Sequence, residues 1–194
     1  GIYSIVISNC ILDDIITKLN GISTWYINLF LYQSMSGDAA SGNSSFKATG
    51  SKIITNKGDT LYVTNTTATI YLENNSIVNN DATGNFLRIQ KDSWGNSGSN
   101  GGDDTLTLNN QSAKGNIVVD SISTLNMEIS KNSYYEGTIN GDNTAKNISI
   151  TLDSDSKIKL TGDSYVSKLV DEDSSYSDID FNGYKLYVDG NAIN

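Results

Sequence analysis

A short strand pattern recurs along residues 68–190 and limits the folds that are open to this chain. Each copy alternates apolar and polar residues over four or five positions, and spacers rich in Asn, Ser, Thr and Gly separate the copies. Strict alternation gives a strand one buried face and one face in water. The copies occupy residues 70–74, 106–110, 125–128, 150–153 and 179–183.

The spacing of the copies is typical of a solenoid. Counted from Leu72, the second apolar position recurs at Leu108, Met127, Leu152 and Phe181, in steps of 36, 19, 25 and 29 residues. Steps of about 20 to 30 residues indicate that each strand stacks on its equivalent in the next turn of the chain. We therefore predict an all-β protein, a single parallel β-helix (β-solenoid) with rungs of about 20–25 residues.

Each rung is expected to have a second strand and polar corners. Runs of apolar residues follow a glycine, which can take the positive φ that a corner needs, and the chain has no proline to interrupt a ladder. Asn side chains such as Asn9, Asn74 and Asn110 are expected to form amide ladders at the corners. The glycines that begin the second strands are Gly58, Gly84, Gly115 and Gly137.

We expect one domain over residues 1–194, with regular rungs in 36–194 and atypical first rungs or an end cover in 1–35. The strand pattern is already present in residues 1–7, so we expect a chain truncated at its N-terminus, and no signal peptide is recognisable. The apolar segment 22–33 is too short to span a membrane. It is expected to be an inner strand or an end cover, and the alternative is an edge for end-to-end self-association.

Charge and composition exclude several classes of function. The net charge is −9 and the chain has a single arginine, Arg88, so nucleic acid is not an expected partner. Without histidine the chain cannot use Ser-His-Asp or Cys-His catalysis, and with one cysteine it cannot build a zinc site. That cysteine, Cys10, lies among apolar residues and is expected to be buried. An anionic polysaccharide would be repelled unless Ca²⁺ bridged the two.

The first candidate site is a column of outward residues, one after the second apolar position of each strand. If the rungs stack in register, neighbours in the column lie about 4.8 Å apart, so Glu128 and Asp153 would share a proton or a cation. Carboxylates at about this distance also serve retaining glycosidases. The alternative is a solvated polar face. The column contains Ser8, Glu73, Asn109, Glu128, Asp153 and Asn182.

Two acidic clusters are candidate calcium sites. Asp103 and Asp104 follow a pair of glycines, and Asp171, Glu172 and Asp173 are consecutive. Clusters that offer only oxygen ligands favour Ca²⁺ over transition metals. A hydrophilic turn is the alternative for each cluster.

Aromatic residues form the third candidate site. Residues 91–104 are a long Gly/Ser/Asn insertion that carries Trp94, and such loops often carry function. Trp94, Tyr134 and Tyr135 offer flat faces on which sugar rings stack, and the alternative for Trp94 is packing back over the sheet. Because adjacent strand residues point to opposite faces, one of the two tyrosines at most belongs to a binding surface.

The C-terminal passages LTGDSYV (160–166) and IDFNGYKLYVDG (179–190), with GDT (58–60) and WGNSG (94–98), carry a resemblance over about residues 34–194. They resemble the rungs of secreted right-handed parallel β-helix proteins of anaerobic bacteria. These are pectate-lyase-like in fold and are often labelled adhesin-like or carbohydrate-binding. The resemblance implies a right-handed β-helix with three short sheets and an extracellular or bacterial cell-surface location. It brings no catalytic motif to this chain.

We expect a non-enzymatic extracellular module that binds a polysaccharide or a host-surface glycan, or that serves as an adhesin segment. A structural stalk or self-associating filament unit is the first alternative. A polysaccharide lyase or glycoside hydrolase is the second. A lyase would need a basic residue beside bound calcium, and Arg88, near Lys91, is the candidate. The alternative for Arg88 is an ordinary surface residue.

Overall fold

A computed structural model describes residues 3–13, 27–33 and 43–194 of the chain. Residues 14–26 and 34–42 lie outside the described ranges, and with them lie parts of the expected end cover and of the apolar segment 22–33. Within the described ranges every regular element is a β-strand, and no helix there is long and apolar enough to cross a membrane.

The described strands follow one another mostly in groups of three, and we number them in chain order; the fifth group has two strands, β13 and β14, and the last has four, β18 to β21. They are β1 (Tyr3–Ser8), β2 (Ile11–Asp13), β3 (Ile27–Tyr32), β4 (Asn43–Thr49), β5 (Lys52–Thr55), β6 (Asp59–Thr64), β7 (Thr66–Glu73), β8 (Ser76–Asn79), β9 (Leu87–Ile89), β10 (Gly102–Asn109), β11 (Ser112–Lys114), β12 (Ile117–Val119), β13 (Thr124–Ser130), β14 (Tyr134–Gly137), β15 (Asn147–Leu152), β16 (Lys157–Leu160), β17 (Ser164–Val166), β18 (Lys168–Asp171), β19 (Ile179–Asp180), β20 (Leu186–Val188) and β21 (Asn191–Ala192).

Equivalent strands of successive groups pair in parallel. The first strands form sheet 1, in the order β1-β4-β7-β10-β13-β15-β18. The second strands form two hydrogen-bonded sets, β2-β5-β8 and β11-β14-β16-β19, which we together call sheet 2. The third strands form the sets β3-β6-β9-β12 and β17-β20-β21, which we together call sheet 3. Ile139 connects the two parts of sheet 3, because it bridges Ile117 and accepts a hydrogen bond from the Tyr165 N–H at 3.0 Å. Among the described strands, β20 with β21 is the one antiparallel pair.

The core lies between the inner faces of the three sheets. Alternating residues of β7 and β10 are buried, as the sequence pattern predicts. In sheet 1 the interior residue Leu72 lies opposite Ala48 and Leu108. Three of the four predicted glycine-led strands, β6, β9 and β12, are confirmed as equivalents in one sheet. After Gly137, which itself ends β14, Ile139 forms an isolated bridge instead of a strand. Leu61 of β6 pairs with Leu87 of β9, which pairs with Ile117 of β12, and Ile139 follows.

Two of the five predicted strand copies are placed differently from the prediction. Met127 lies opposite Leu106, and the equivalent of Leu108 is Ile129. Residue Ile179 belongs to β19 of sheet 2, where it pairs with Ile158, and the last strand of sheet 1 is β18. A shift of two residues keeps the same face buried, because side chains alternate with a period of two. Alternation alone therefore fixes the face but not the register.

The corner between sheets 1 and 2 carries a hydrogen-bond ladder that the predicted Asn residues do not form. Asn9, Asn74 and Asn110 instead have φ of 53°, 53° and 47°, a left-handed conformation that Asn tolerates. The residue after each donates its backbone N–H to the side chain of its equivalent in the next group. The donor and acceptor pairs are Cys10 and Ser51 Oγ (3.2 Å), Ser51 and Asn75 Oδ1 (2.9 Å), Asn75 and Gln111 Oε1 (2.8 Å), Gln111 and Ser133 Oγ (3.0 Å), and Ser133 and Ser156 Oγ (3.0 Å).

Cys10 is exposed, so the expectation of a buried cysteine is wrong. It lies at the outer end of this ladder, where the chain turns between β1 and β2. Its thiol reaches the Ser8 carbonyl at 3.2 Å, and the apolar neighbour Ile11 is itself 72% exposed.

Candidate functional site

The outward residues of sheet 1 form columns that run across the strands. One column consists of neutral hydrogen-bonding side chains in six neighbouring strands, and we call it the neutral column. Adjacent members are paired in register, so they repeat at the strand spacing of about 4.8 Å. The neutral column contains Ser4, Ser45, Thr69, Thr105, Asn126 and Ser149.

The side chains of the neutral column face solvent. Thr69, Thr105 and Asn126 are exposed, and Ser45 and Ser149 are partly exposed. Within the described part of the chain, the side chains of the column make no hydrogen bond to another protein group. Their hydroxyl and amide groups are therefore available to a ligand, while the backbone beneath them is held by the parallel ladders.

A second column beside the neutral column carries an aromatic ring and charges. Lys47 Nζ lies 4.8 Å from the centroid of the Tyr71 ring, and the two residues are paired in register. The Tyr71 hydroxyl donates to Glu73 Oε2 at 3.0 Å. Burial, this hydrogen bond and the charges of Glu73 and Glu128 raise the pKa of Tyr71. The ring of Tyr71 is thus held in place by polar contacts on both sides.

The predicted column of outward carboxylates forms in part. Glu73 lies opposite Asn109 as expected. Glu128, however, lies opposite Thr107 and Thr151, so it is offset by two residues from Asp153. The predicted pairing of the two carboxylates is wrong, because it rested on the register that aligned Met127 with Leu108. Ser8 lies opposite Thr49, and Asn182 follows β19, outside sheet 1.

The carboxylate of Asp153 already accepts hydrogen bonds from neighbouring protein groups. Burial opposes its ionisation, but hydrogen bonds from the Ser156 side chain and from the N–H groups of Lys131 and Asp155 outweigh burial and lower its pKa. The Lys131 N–H lies 2.7 Å from Asp153 Oδ2. A carboxylate held in the ionised form is a poor general acid.

The first acidic cluster is divided between two faces of β10. Asp103 is exposed and accepts a hydrogen bond from the Thr124 hydroxyl. Asp104 is fully buried, and burial raises its pKa to about 8. Adjacent residues of a strand point in opposite directions, so these two carboxylates do not share one cation.

The second acidic cluster also disperses. Asp173 accepts hydrogen bonds from Ser175 and Ser177, and Glu172 accepts one from the Ser154 N–H at 3.1 Å. Asp171 lies opposite Leu152 and faces the interior. Within the ranges that the structure describes, no three or more Asp, Glu or Cys residues are grouped as metal ligands.

Trp94 packs back over the outer face of sheet 3, in an aromatic cluster formed by Phe30, Tyr32, Tyr62 and Trp94. Phe30 and Tyr62 are paired in register with stacked rings, 5.1 Å between centroids. Trp94 stands at 80° to Phe30 and 81° to Tyr32, and its indole N–H donates to the Gln33 carbonyl at 3.0 Å. The insertion thereby covers Tyr62, which is fully buried although its position faces outward. Sequence analysis missed Phe30 and Tyr62, which only the register brings together.

The two adjacent tyrosines point to opposite faces, as predicted. Tyr135 is fully buried and donates to the Gly115 carbonyl at 2.8 Å, and burial raises its pKa. Tyr134 faces outward and donates to Glu136 Oε2 at 2.9 Å. Burial and then Glu136 raise the pKa of Tyr134 to about 12. Of the two, Tyr134 is the one that can contact a ligand.

Arg88 is engaged in the protein. Its Nε lies 2.5 Å from Asp59 Oδ2, and Asp59 Oδ1 accepts from the backbone N–H and the side chain of Asn85. This ion pair links β9 to β6 within sheet 3. In the described ranges Arg88 makes no contact with Asp104 or Asp171, members of the two acidic clusters. Arg88 therefore corresponds to the structural alternative of the sequence analysis.

The described faces offer hydrogen-bonding groups and aromatic rings in regular rows. Such rows suit the recognition of an extended ligand. Comparisons of this chain with protein-family models, with curated proteins and with solved structures find no match. Function is therefore inferred from the geometry of the chain itself.

Proposed function

We propose that the chain is a single right-handed parallel β-helix that acts as a non-enzymatic polysaccharide-binding module, outside the cell or on a bacterial surface. The β-helix is supported by the order of the sheets, because the chain visits sheets 1, 2 and 3 in turn, and all but one of the described strand pairs are parallel. The group of β13 and β14 reaches sheet 3 through the bridge of Ile139. Parallel strands whose connections cross over are nearly always right-handed. The polysaccharide lies across the strands of sheet 1.

The neutral column carries the proposal. Its members repeat at about 4.8 Å, close to the length of one sugar ring in an extended polysaccharide chain. Each Ser, Thr or Asn side chain can therefore hydrogen-bond one sugar unit or its neighbour along six strands. The ring of Tyr71, two residues along its strand from Thr69, supplies an aromatic surface beside the neutral column.

Charge selects the kind of polysaccharide. The protein has a net charge of −9. Asp103 and Glu128 lie two residues along their strands from Thr105 and Asn126, at the middle of the neutral column, and Lys47 and Lys168 lie towards its two ends. A uronate chain would be repelled along this face, whereas a neutral glycan would not. We therefore assign a neutral, extended glycan to sheet 1.

Binding is expected to be weak for each sugar and to grow with glycan length. Exposed hydroxyl groups exchange hydrogen bonds with water for hydrogen bonds with sugar, which gains little for each contact. The column stands on a paired sheet, so few protein groups need to be ordered on binding. Affinity then accumulates along the column.

The double variant Thr69→Ala/Thr105→Ala removes the two central hydroxyls of the neutral column. We expect it to lose binding to neutral polysaccharides by about tenfold, which corresponds to roughly 1.4 kcal/mol, with an unchanged unfolding midpoint. Affinity electrophoresis and calorimetry against neutral and uronate polymers would measure this. The matched control is Ser76→Ala/Ser112→Ala, two exposed serines of sheet 2. Absence of binding to any neutral glycan by the unmodified protein would remove the proposal.

A self-associating filament unit is the second candidate, and the edge of sheet 1 favours it. The first strand, β1, pairs with β4 and with no other described strand. Ile5 and Val6 on this strand are 58% and 66% exposed. An unpaired edge with exposed apolar residues is a template for a strand of another molecule.

A further inference from the structure

A pair of carboxylates lies at the C-terminal end of the core. Asp171 ends β18 and lies opposite Leu152, so it continues an interior column of sheet 1. Asp178 comes directly before β19 of sheet 2 and is 7% exposed. The two carboxyl groups lie close enough that each affects the ionisation of the other. They connect the last described strands of two sheets.

Three of the four carboxyl oxygens of this pair lack donors, and the fourth, Asp171 Oδ1, accepts the Asp173 N–H at 2.8 Å. Asp171 Oδ2 and both side-chain oxygens of Asp178 are buried, and no described group donates a hydrogen bond to them. The adjacent charged residues, Glu172 and Asp173, are also acidic and disfavour ionisation of the pair. In the described ranges the ion pairs are Lys57–Asp81, Arg88–Asp59 and Lys114–Glu136, so no lysine or arginine compensates the pair. Buried carboxylates without a partner are costly.

The neighbouring carboxylate shows the contrast. Asp173 accepts hydrogen bonds from the backbone and side chains of Ser175 and Ser177. The hydrogen bonds of this turn hold the pKa of Asp173 well below its usual range. The loop between β18 and β19 thus satisfies one acid fully and leaves Asp171 and Asp178 facing each other.

We propose that Asp171 and Asp178 together bind a divalent cation, with Ca²⁺ as the best fit. The site offers oxygen ligands alone, from two carboxylates of opposing strands, and Ca²⁺ accepts such ligands with water completing its shell. A charge of 2+ offsets the two negative charges that the protein itself leaves uncompensated. With two protein carboxylates, the affinity belongs to the weak range of extracellular calcium modules, a Kd on the order of 10⁻⁴ to 10⁻³ M.

A bound cation would join β18 to β19 and so fasten sheet 1 to sheet 2 in the last group of strands. Calcium then stabilises the folded chain by mass action, because the unfolded chain does not hold the two carboxylates together. Cation binding at this pair does not depend on glycan binding at sheet 1.

A proton can take the place of the cation. Burial and the charge of Asp171 raise the pKa of Asp178 to about 6, so a shared proton neutralises part of the pair in mild acid. Above that pH the pair is charged and the cation has no competitor.

The test uses the whole chain, freed of metal with EDTA and dialysed, with CaCl₂ alone as the probe. We expect calorimetry at pH 7.5 to show one weak site, and calcium to raise the thermal midpoint. Asp178→Asn keeps the shape and removes the charge, and should abolish both effects. Asp155→Asn, an exposed turn carboxylate in the preceding loop, is the matched control and should keep them.

Two results would overturn the cation site. One is the absence of any calcium effect on the unmodified protein at pH 7.5. The other is a calcium effect of equal size in Asp178→Asn. If Asp178→Asn does not fold, Asp171→Asn supplies the same comparison from the other strand.

Discussion

Asp104 shows how a single residue can take its chemistry from the register of the sheet. It lies between Ala68 of β7 and Leu125 of β13, on the inner face of sheet 1. Burial raises its pKa to about 8, so the carboxyl is mostly protonated at pH 7. A neutral carboxyl costs far less to bury than a carboxylate does.

Replacing Asp104 with Asn should flatten part of the dependence of stability on pH. The folded-state pKa of about 8 exceeds the unfolded value of about 3.9, so the folded chain binds more protons than the unfolded chain between these values. Stability is therefore full below about pH 4 and is lost as pH rises to about 8. The variant Asp104→Asn has no carboxyl group at this position, so its stability should not show this decrease between about pH 4 and pH 8. Urea unfolding at pH 5, 7 and 9 measures it, with Asp103→Asn as the exposed control, and parallel profiles for Asp104→Asn and the unmodified protein would contradict it.

The inward direction of Asp104 was open to sequence reasoning, whereas the pairing of Asp171 with Asp178 was not. Asp104 is two residues before Leu106, and alternation extended by one step places both on the inner face. Asp178 is seven residues after Asp171 in the sequence, and the two residues adjoin strands of different sheets. Such a contact depends on how the loop between β18 and β19 folds, and no periodic pattern encodes it.

At the scale of the strand, the sequence predicted faces correctly and registers in part. The glycine-led strands of sheet 3 were identified because each has its own marker at the corner. In sheet 1 Met127 was aligned two residues away from its position, because Met127 and Ile129 both lie on the buried face and alternation does not choose between them. The aromatic cluster around Trp94 was missed for the same reason, since it requires the pairing of Phe30 with Tyr62.

The corner ladder between sheets 1 and 2 should contribute measurably to stability. Ser133→Ala removes the oxygen that accepts the Gln111 N–H at 3.0 Å, and both residues are buried. A buried N–H without an acceptor costs about 1 to 3 kcal/mol. Urea unfolding should show a loss of free energy of unfolding in this range. Ser112→Ala, at an exposed position of the neighbouring strand, should change it by less than about 0.5 kcal/mol, and an equal effect of both would show that the ladder adds nothing.

At the scale of the whole molecule, in-register pairing of successive strands aligns equivalent residues into rows that extend across a sheet. The neutral column exists because the same outward position of six strands carries Ser, Thr or Asn. The same repetition leaves an edge at each end of a sheet. In the described part of the chain β21 pairs with β20 of sheet 3, whereas β1 pairs in sheet 1 with β4 alone and carries the exposed apolar residues Ile5 and Val6.

The β1 edge leads to a prediction about assembly. If β1 pairs with β18, the last described strand of sheet 1, in a second molecule, the contact joins unlike surfaces, and contacts of this kind repeat into open filaments. The sedimentation coefficient of the unmodified protein should then rise with protein concentration. Val6→Lys places a charge on the edge, which is a common protection against strand addition, and should keep the protein monomeric. The control is Val78→Lys, a change at a 41% exposed valine of sheet 2, and this variant should associate like the unmodified protein. If the unmodified protein stays monomeric at every concentration, the filament is excluded and the glycan-binding module is the single remaining candidate.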